Sequence, residues 1–205
     1  NDVLCSFGGR VYKPGDKRAK YINGPASERF IKSQTLYGFH LTKAHLPIYV
    51  VEGYLDVIIM HQHGYNAIAP MGTAFGQEHL KLTLEKSREI ILAMDGDSAG
   101  RKSALKTAYM SLEYLSPDCE IKFVNFPDNH DAASFLQQYH TLNFLKSYHL
   151  YEYIFMAEHI ASFNAASSPE KTAQTYMKLM ALAAKIKDPI LKSEYRKRWK
   201  DLWWN

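Results

Sequence analysis

Ile48-Tyr49-Val50-Val51-Glu52-Gly53-Tyr54-Leu55-Asp56 opens on an apolar run, closes that run on an acid, and passes through glycine into a segment where Leu55, Ile58 and Ile59 recur at helical steps. A short buried strand running into an amphipathic helix is the repeating unit of an α/β fold. The same alternation continues outward over residues 48–140. Strands are expected at Ile48–Val51, Asn66–Pro70, Glu89–Met94 and Glu120–Phe126, and helical spacing follows at Leu80 and Leu84 and at Ala104, Leu105, Ala108 and Leu112. The expected core is a largely parallel sheet with helices on its faces. Residues 1–47 carry Gly8-Gly9, Pro14-Gly15-Asp16 and Asn23-Gly24-Pro25 between short apolar pieces, and read as hairpins and loops. From about Leu142 the strand signals fade. Ser168-Pro169-Glu170 and Asp188-Pro189 each place a capping residue before a proline at the first helical position, so the tail is expected to be all helical. The resulting division is 1–47, 48–141 and 142–205.

The chain has 205 residues, 46% hydrophobic and 22% charged, which is ample for a buried core and unlike a disordered chain. No run approaches the roughly 18 uninterrupted apolar residues of a membrane span, so no membrane partner is expected. Two cysteines, Cys5 and Cys119, are too few for a disulfide scaffold or a four-ligand zinc site and fit a reducing compartment. The first residue, Asn1, suggests an excised fragment. The net charge of +4 is modest, but between Arg10 and Lys32 seven Lys or Arg face two acids. Such a stretch suits phosphates, with Tyr21 as a stacking ring. The stretch from Lys185 to Lys200 also holds seven cations against two acids, yet its Trp199, Trp203 and Trp204 suggest a helix packed into a bundle with a charged wet face. The nine histidines show no metal-ligand spacing and fit solvated or capping roles.

Glu52 and Asp56 flank the start of the first α/β helix, and Asp95-Gly96-Asp97 closes the third strand of the region. All four acids gather at carboxyl ends of strands, the edge where open α/β sheets bind ligands. Clustered carboxylates repel one another and take up protons unless a cation neutralises them. Oxygen-only donors select a hard cation, Mg²⁺ or Mn²⁺.

Val51-Glu52-Gly53-Tyr54-Leu55-Asp56, Gly72-Thr73 and Asp95-Gly96-Asp97-Ser98-Ala99-Gly100-Arg101 resemble the TOPRIM motifs of bacterial replicative primases of the DnaG type. Upstream, Phe7-Gly8-Gly9-Arg10, Lys20-Tyr21-Ile22-Asn23 and Lys32 with Leu36-Tyr37-Gly38 resemble the basic segment that precedes TOPRIM in these primases. Downstream, Phe126-Pro127-Asp128-Asn129-His130-Asp131 is similar to the family's last acidic motif, and the two proline-led helices to its helical subdomain. The resemblance implies a TOPRIM-type parallel-sheet core after a basic α+β segment and before a helical bundle. It implies a DNA-templated RNA polymerase that makes short RNA primers on single-stranded DNA from NTPs for replication, in the bacterial cytoplasm at the replisome. Glu52, Asp95 and Asp97 are then catalytic; Glu52, Asp56, Asp95, Asp97 and Asp131 hold Mg²⁺ or Mn²⁺; and Arg10, Lys20, Tyr21, Asn23, Lys32 and Arg101 contact nucleic acid or NTP. On its residues alone, Arg101 either touches phosphate or pairs with Asp97. The family's zinc ribbon, the first part of its polymerase core and its helicase-binding domain have no counterpart in this sequence. Replicative helicase and single-strand binding protein would therefore be met through regions outside it. Family members carry a second acid two residues after the position of Asp131; here that residue is Ala133, which weakens the third metal motif. TOPRIM also occurs in nucleases, and a non-catalytic nucleic-acid scaffold is the other alternative.

Overall fold

In the computed structural model, residues 4–11, 21–162 and 168–204 are described. Two short strands, β1 (Gly8–Arg10) and β2 (Tyr21–Asn23), pair antiparallel, with Gly8 opposite Asn23 and Arg10 opposite Tyr21. The main sheet begins with β3 (Leu36–Tyr37) and β4 (Ile48–Val50). It continues as α1 (Tyr54–Gln62), β5 (Ala67–Pro70), α2 (Gln77–Lys86), β6 (Glu89–Leu92), α3 (Ser98–Ser111), β7 (Glu120–Val124), α4 (Ala132–Tyr139) and β8 (Ser147–His149). A helical tail follows: α5 (Leu150–Ser162), α6 (Pro169–Ala184) and α7 (Pro189–Trp204). No described helix is long and apolar enough to cross a membrane.

The six strands lie in the order β3-β5-β4-β6-β7-β8. The four inner strands are parallel, and β3 and β8 close the two edges antiparallel. Alternate residues serve opposite faces, the period-two rule of an extended chain. Val50, Ile68, Ile90 and Leu92 face one core with Leu80 of α2, Ala104 and Ala108 of α3, Ile154 of α5 and Trp199 of α7. Ala67, Ala69, Ile91 and Ala93 face the other, with Val57 and Met60 of α1 and Phe135 and Leu136 of α4. The result is a sheet sandwiched between helical layers.

Three of the four expected strands end one or two residues early. Ala93, Met94 and Phe126 remain buried and apolar, so the pattern runs on, but the ladder stops where the chain splays into the loops that carry the acids. The expectation of an all-helical tail is corrected by β8, which pairs with β7 through Lys122↔His149 and Phe123↔Tyr148. A three-residue edge strand supplies backbone rather than an apolar run, and so leaves no pattern to read. β3 likewise brings the N-terminal segment into the sheet.

The expected tail helices start where their caps lie: Ser168 accepts the Lys171 N–H ahead of Pro169, and Asp188 accepts the Leu191 N–H ahead of Pro189. Trp199 is fully buried and donates its indole N–H to the Tyr151 carbonyl at 2.8 Å, while Trp203 packs edge-on against Phe155. Trp204 departs from the expectation for the three tryptophans: one residue further round the helix, it is 74% exposed. Tyr153 stacks on Phe123 with centroids 4.1 Å apart, fixing the bundle to β7. Tyr109 donates to the buried Glu158, which also pairs with Lys178 at 2.7 Å, so α3, α5 and α6 share one polar tie.

Candidate active site

The central strand β4 is followed in sequence by β5 on one side of it, and the chain then crosses to β6 on the other. The carboxyl ends of β4 and β6 therefore flank a topological switch point, where loops diverge and leave a crevice. Glu52 leaves the end of β4, Asp95 and Asp97 leave the end of β6, and Asp131 leads into α4 after β7. Glu52 Oε1 accepts the Asp95 backbone N–H at 3.3 Å, a direct tie between two acidic motifs 43 residues apart.

Two close backbone approaches hold the loops. A Cβ on Gly96 would lie 2.1 Å from the Pro127 carbonyl oxygen and 2.8 Å from that of Phe126. Only glycine fits there, and the contact is sealed by the Gly96 N–H donating to the His130 carbonyl at 2.9 Å. A Cβ on Gly100 would lie 2.2 Å from the Asp95 carbonyl oxygen, so the first turn of α3 rests directly on the Asp95 peptide. Asp97 is the N-cap of α3, accepting from the Gly100 N–H at 2.7 Å, and Asp131 is the N-cap of α4, accepting from the Ser134 N–H at 2.7 Å. Helix N-termini, with their unpaired N–H groups, suit negative charge at both places.

Asp95 is half-buried beside a cavity of about 140 Å³ lined also by Met94, Gly96, Arg101, Val124 and Phe126. Burial, then the charges of Glu52, Asp56, Asp131 and Asp97, push its carboxyl up to about 7 from an ordinary value of 3.8. The other four sequence-expected acids thus all lie close enough to act on Asp95. Among the described residues no three His, Cys, Asp or Glu form a ready-made cage for an ion. A hard cation such as Mg²⁺ takes one or two carboxylates and completes its shell with water and substrate phosphate. Hard oxygen donors with uncompensated mutual repulsion fit such an ion.

The basic and polar residues divide. Asn23 sits against the site: the Tyr54 hydroxyl donates to its Oδ1 at 2.6 Å, and a Cβ on Gly72, which has φ +74°, would lie 2.6 Å from its amide nitrogen. Arg10 lines an adjoining cavity of about 250 Å³ with Gly8, Tyr37, Tyr54 and Met71. Lys32 is held through its backbone. His79, 1% exposed, accepts the Gly76 N–H on Nδ1 and donates from Nε2 to the Lys32 carbonyl at 2.8 Å. Arg101 does not pair with Asp97. Asp97 is occupied as a cap, and the guanidinium donates instead to the Gly96 carbonyl at 2.7 Å and to Asp128 at 2.9 Å, clasping the loops after β6 and β7. Lys20 lies outside the described residues; Tyr21 is placed only by its backbone pairing in β2. Sequence reasoning gave no role to Tyr54, His79 or Asp128. His79 had a legible signal, standing three residues after the N-cap Gly76, a position from which a side chain reaches back to the cap N–H.

A mostly parallel α/β sheet whose switch point carries acids at the ends of two neighbouring strands agrees with the TOPRIM class. Residues 47–125 match the family model of the Toprim domain and residues 1–43 that of the DNA primase catalytic core, N-terminal domain. The chain belongs to the bacterial DnaG-type DNA primase family and corresponds to part of its catalytic core. It is 50% identical over 112 residues to a DNA primase of Helicobacter pylori, an alignment spanning 52% of this chain and 20% of that protein. A DNA primase domain from Pseudomonas aeruginosa superposes with a TM-score of 0.84 at 31% identity, over 96% of this chain and 63% of that one. A DnaG primase catalytic domain bound to ssDNA gives 0.81 at 26% identity, over 96% and 65%. Matches to the curated relatives span between 20% and 35% of their length.

Proposed function

We infer that this chain is the metal-dependent nucleotidyl-transfer part of a primase, which synthesises short RNA primers on single-stranded DNA. The observation that carries the reading is the convergence of acids from the ends of β4, β6 and β7 on Asp95, whose carboxyl is pushed up to about 7 by burial and by their charge. A site that holds uncompensated negative charge is suited to bind cation and triphosphate together. The relative whose structure contains ssDNA supports the choice of template.

Mg²⁺ or Mn²⁺, when bound, would supply Lewis-acid stabilisation of the phosphoryl oxygens and of the leaving pyrophosphate. Glu52, Asp95 and Asp97 would hold it. Glu52, exposed and already oriented by the Asp95 N–H, would take the proton of the attacking 3′-hydroxyl. Lys32 and Arg10, with Lys20, would neutralise template or triphosphate phosphates, and Asn23 with Tyr54 would offer hydrogen bonds beside them. Arg101 can exchange its exposed pairing with Asp128 for a phosphate at modest cost, because such surface pairs contribute about 0–1 kcal/mol. Asp131 would support the site from its capping position. Helicase and single-strand binding protein would engage other regions of the full-length protein.

The test is incubation of the chain with NTPs, Mg²⁺ and a single-stranded template. New RNA that disappears with Asp95→Asn supports the reading. Shortening of the template would make the site a nuclease, and template binding with neither reaction would make it a scaffold; each overturns the reading.

A further inference from the structure

Asp56 is grouped by sequence with the metal-binding acids, but its surroundings set it apart. Glu52 and Asp97 are exposed, whereas Asp56 is 6% exposed within the first turn of α1. Its Oδ2 accepts the Gly53 backbone N–H at 3.1 Å and its Oδ1 accepts the Ala133 backbone N–H at 3.0 Å. Gly53 directly follows Glu52, and Ala133 stands two residues after Asp131. One carboxylate thus joins the backbones of the first and last acidic loops, and α1 and α4 pack together around it.

We propose that Asp56 is a positioning residue: it clamps the Glu52 loop to the start of α4, sets the separation between Glu52 and Asp131, and stays out of the coordination of a cation bound there. Each oxygen is engaged by an N–H donor, and burial closes the approach of a hydrated ion. The clamp needs an acceptor at both oxygens, which asparagine lacks, since its amide nitrogen would confront one of the two N–H groups. It also reinterprets Ala133. The donor at that position is the peptide N–H, which alanine supplies as well as aspartate does, so the loss of a family carboxylate leaves the clamp whole. The clamp itself stands on geometry alone, while the exclusion of Asp56 from the ligands rests on the reading of this edge as a cation site.

Amide hydrogen exchange on the metal-free chain tests the clamp. In the unmodified chain the Gly53 and Ala133 amides should be protected, and Asp56→Asn should speed exchange at one or both by about tenfold or more, with Ile91 and Leu92 of β6 still protected. Unprotected amides in the unmodified chain, or unchanged rates in a folded variant, overturn the clamp. Should the variant not fold, protection in the unmodified chain still decides. A crystal of the unmodified chain soaked in Mn²⁺ tests the ligand half: ions beside Glu52, Asp95 or Asp97 with both Asp56 oxygens beyond coordinating distance support it. An Asp56 oxygen within about 2.5 Å of an ion overturns it. Absence of any ion at the acids would overturn the cation-site reading, and the exchange data would still judge the clamp.

Discussion

Replacing Asp95 by asparagine should stabilise the metal-free protein above neutral pH while removing its activity. The carboxyl is raised from 3.8 to about 7 in the folded state, by burial first and then by Glu52, Asp56, Asp131 and Asp97. Because the folded value is raised, the native state keeps a proton that the unfolded chain has already released between pH 3.8 and 7. Stability linked to that proton is fully present below pH 3.8 and is lost as pH rises through 7. Three pH units correspond to about 4 kcal/mol at 1.36 kcal/mol each, and solvent screening of a half-exposed group brings this to about 2 kcal/mol. The asparagine amide is neutral at every pH, so the variant escapes the loss. Urea unfolding with a chelator present should give equal stabilities near pH 4 and an advantage for the variant of about 2 kcal/mol at pH 8, or roughly 4–8 °C in Tm. Adding Mg²⁺ at pH 8 should raise the Tm of the unmodified chain and move the variant less, since a ligand that binds only the native state stabilises it by mass action. A variant that is less stable at pH 8, or an advantage that does not change between pH 4 and pH 8, would refute the electrostatic account of the site.

Further outcomes follow from single contacts. Gly96→Ala places a methyl 2.1 Å from the Pro127 carbonyl oxygen, and chemical denaturation should register a loss of about 1–3 kcal/mol together with reduced Mn²⁺ affinity. Lys32→Ala should lower the salt dependence of single-strand binding by a slope of roughly 0.7, measured by fluorescence anisotropy across a salt series. His79→Ala should weaken binding in the same assay, because it frees the backbone that carries Lys32. Trp199→Ala should destabilise by about 3–5 kcal/mol in urea, against little change for the exposed Trp204→Ala.

What the sequence made legible was whatever leaves a local pattern. The inner strands, the proline-led helix starts and the five acids all stand in short motifs whose spacing is itself the signal. The two edge strands escaped because Leu36–Tyr37 and Ser147–His149 are defined by a partner's backbone. At the candidate site, it was readable that these acids gather at the strand ends, but not which groups each of them engages. That Asp97 and Asp131 spend an oxygen on a helix N-terminus, that Asp56 spends both on backbone N–H groups, and that Arg101 prefers Asp128 all depend on which loops lie side by side. Motif order fixes none of those juxtapositions; the sheet order β4-β6-β7 does.

This division also explains why the electrostatic load falls on Asp95. Glu52, Asp97, Asp131 and Asp56 each receive at least one backbone N–H. The carboxyl of Asp95 receives no such donor among the described residues, for its own N–H is given to Glu52 and the nearest helix start, α3, is capped by Asp97. Its neighbours are thereby held in place around a carboxyl that burial and their charge push up to about 7. A cation entering the crevice would relieve that repulsion most strongly at Asp95. The backbone donors that fix the other four acids therefore also prepare Asp95, by leaving it the carboxyl that either keeps a proton or meets an incoming positive ligand.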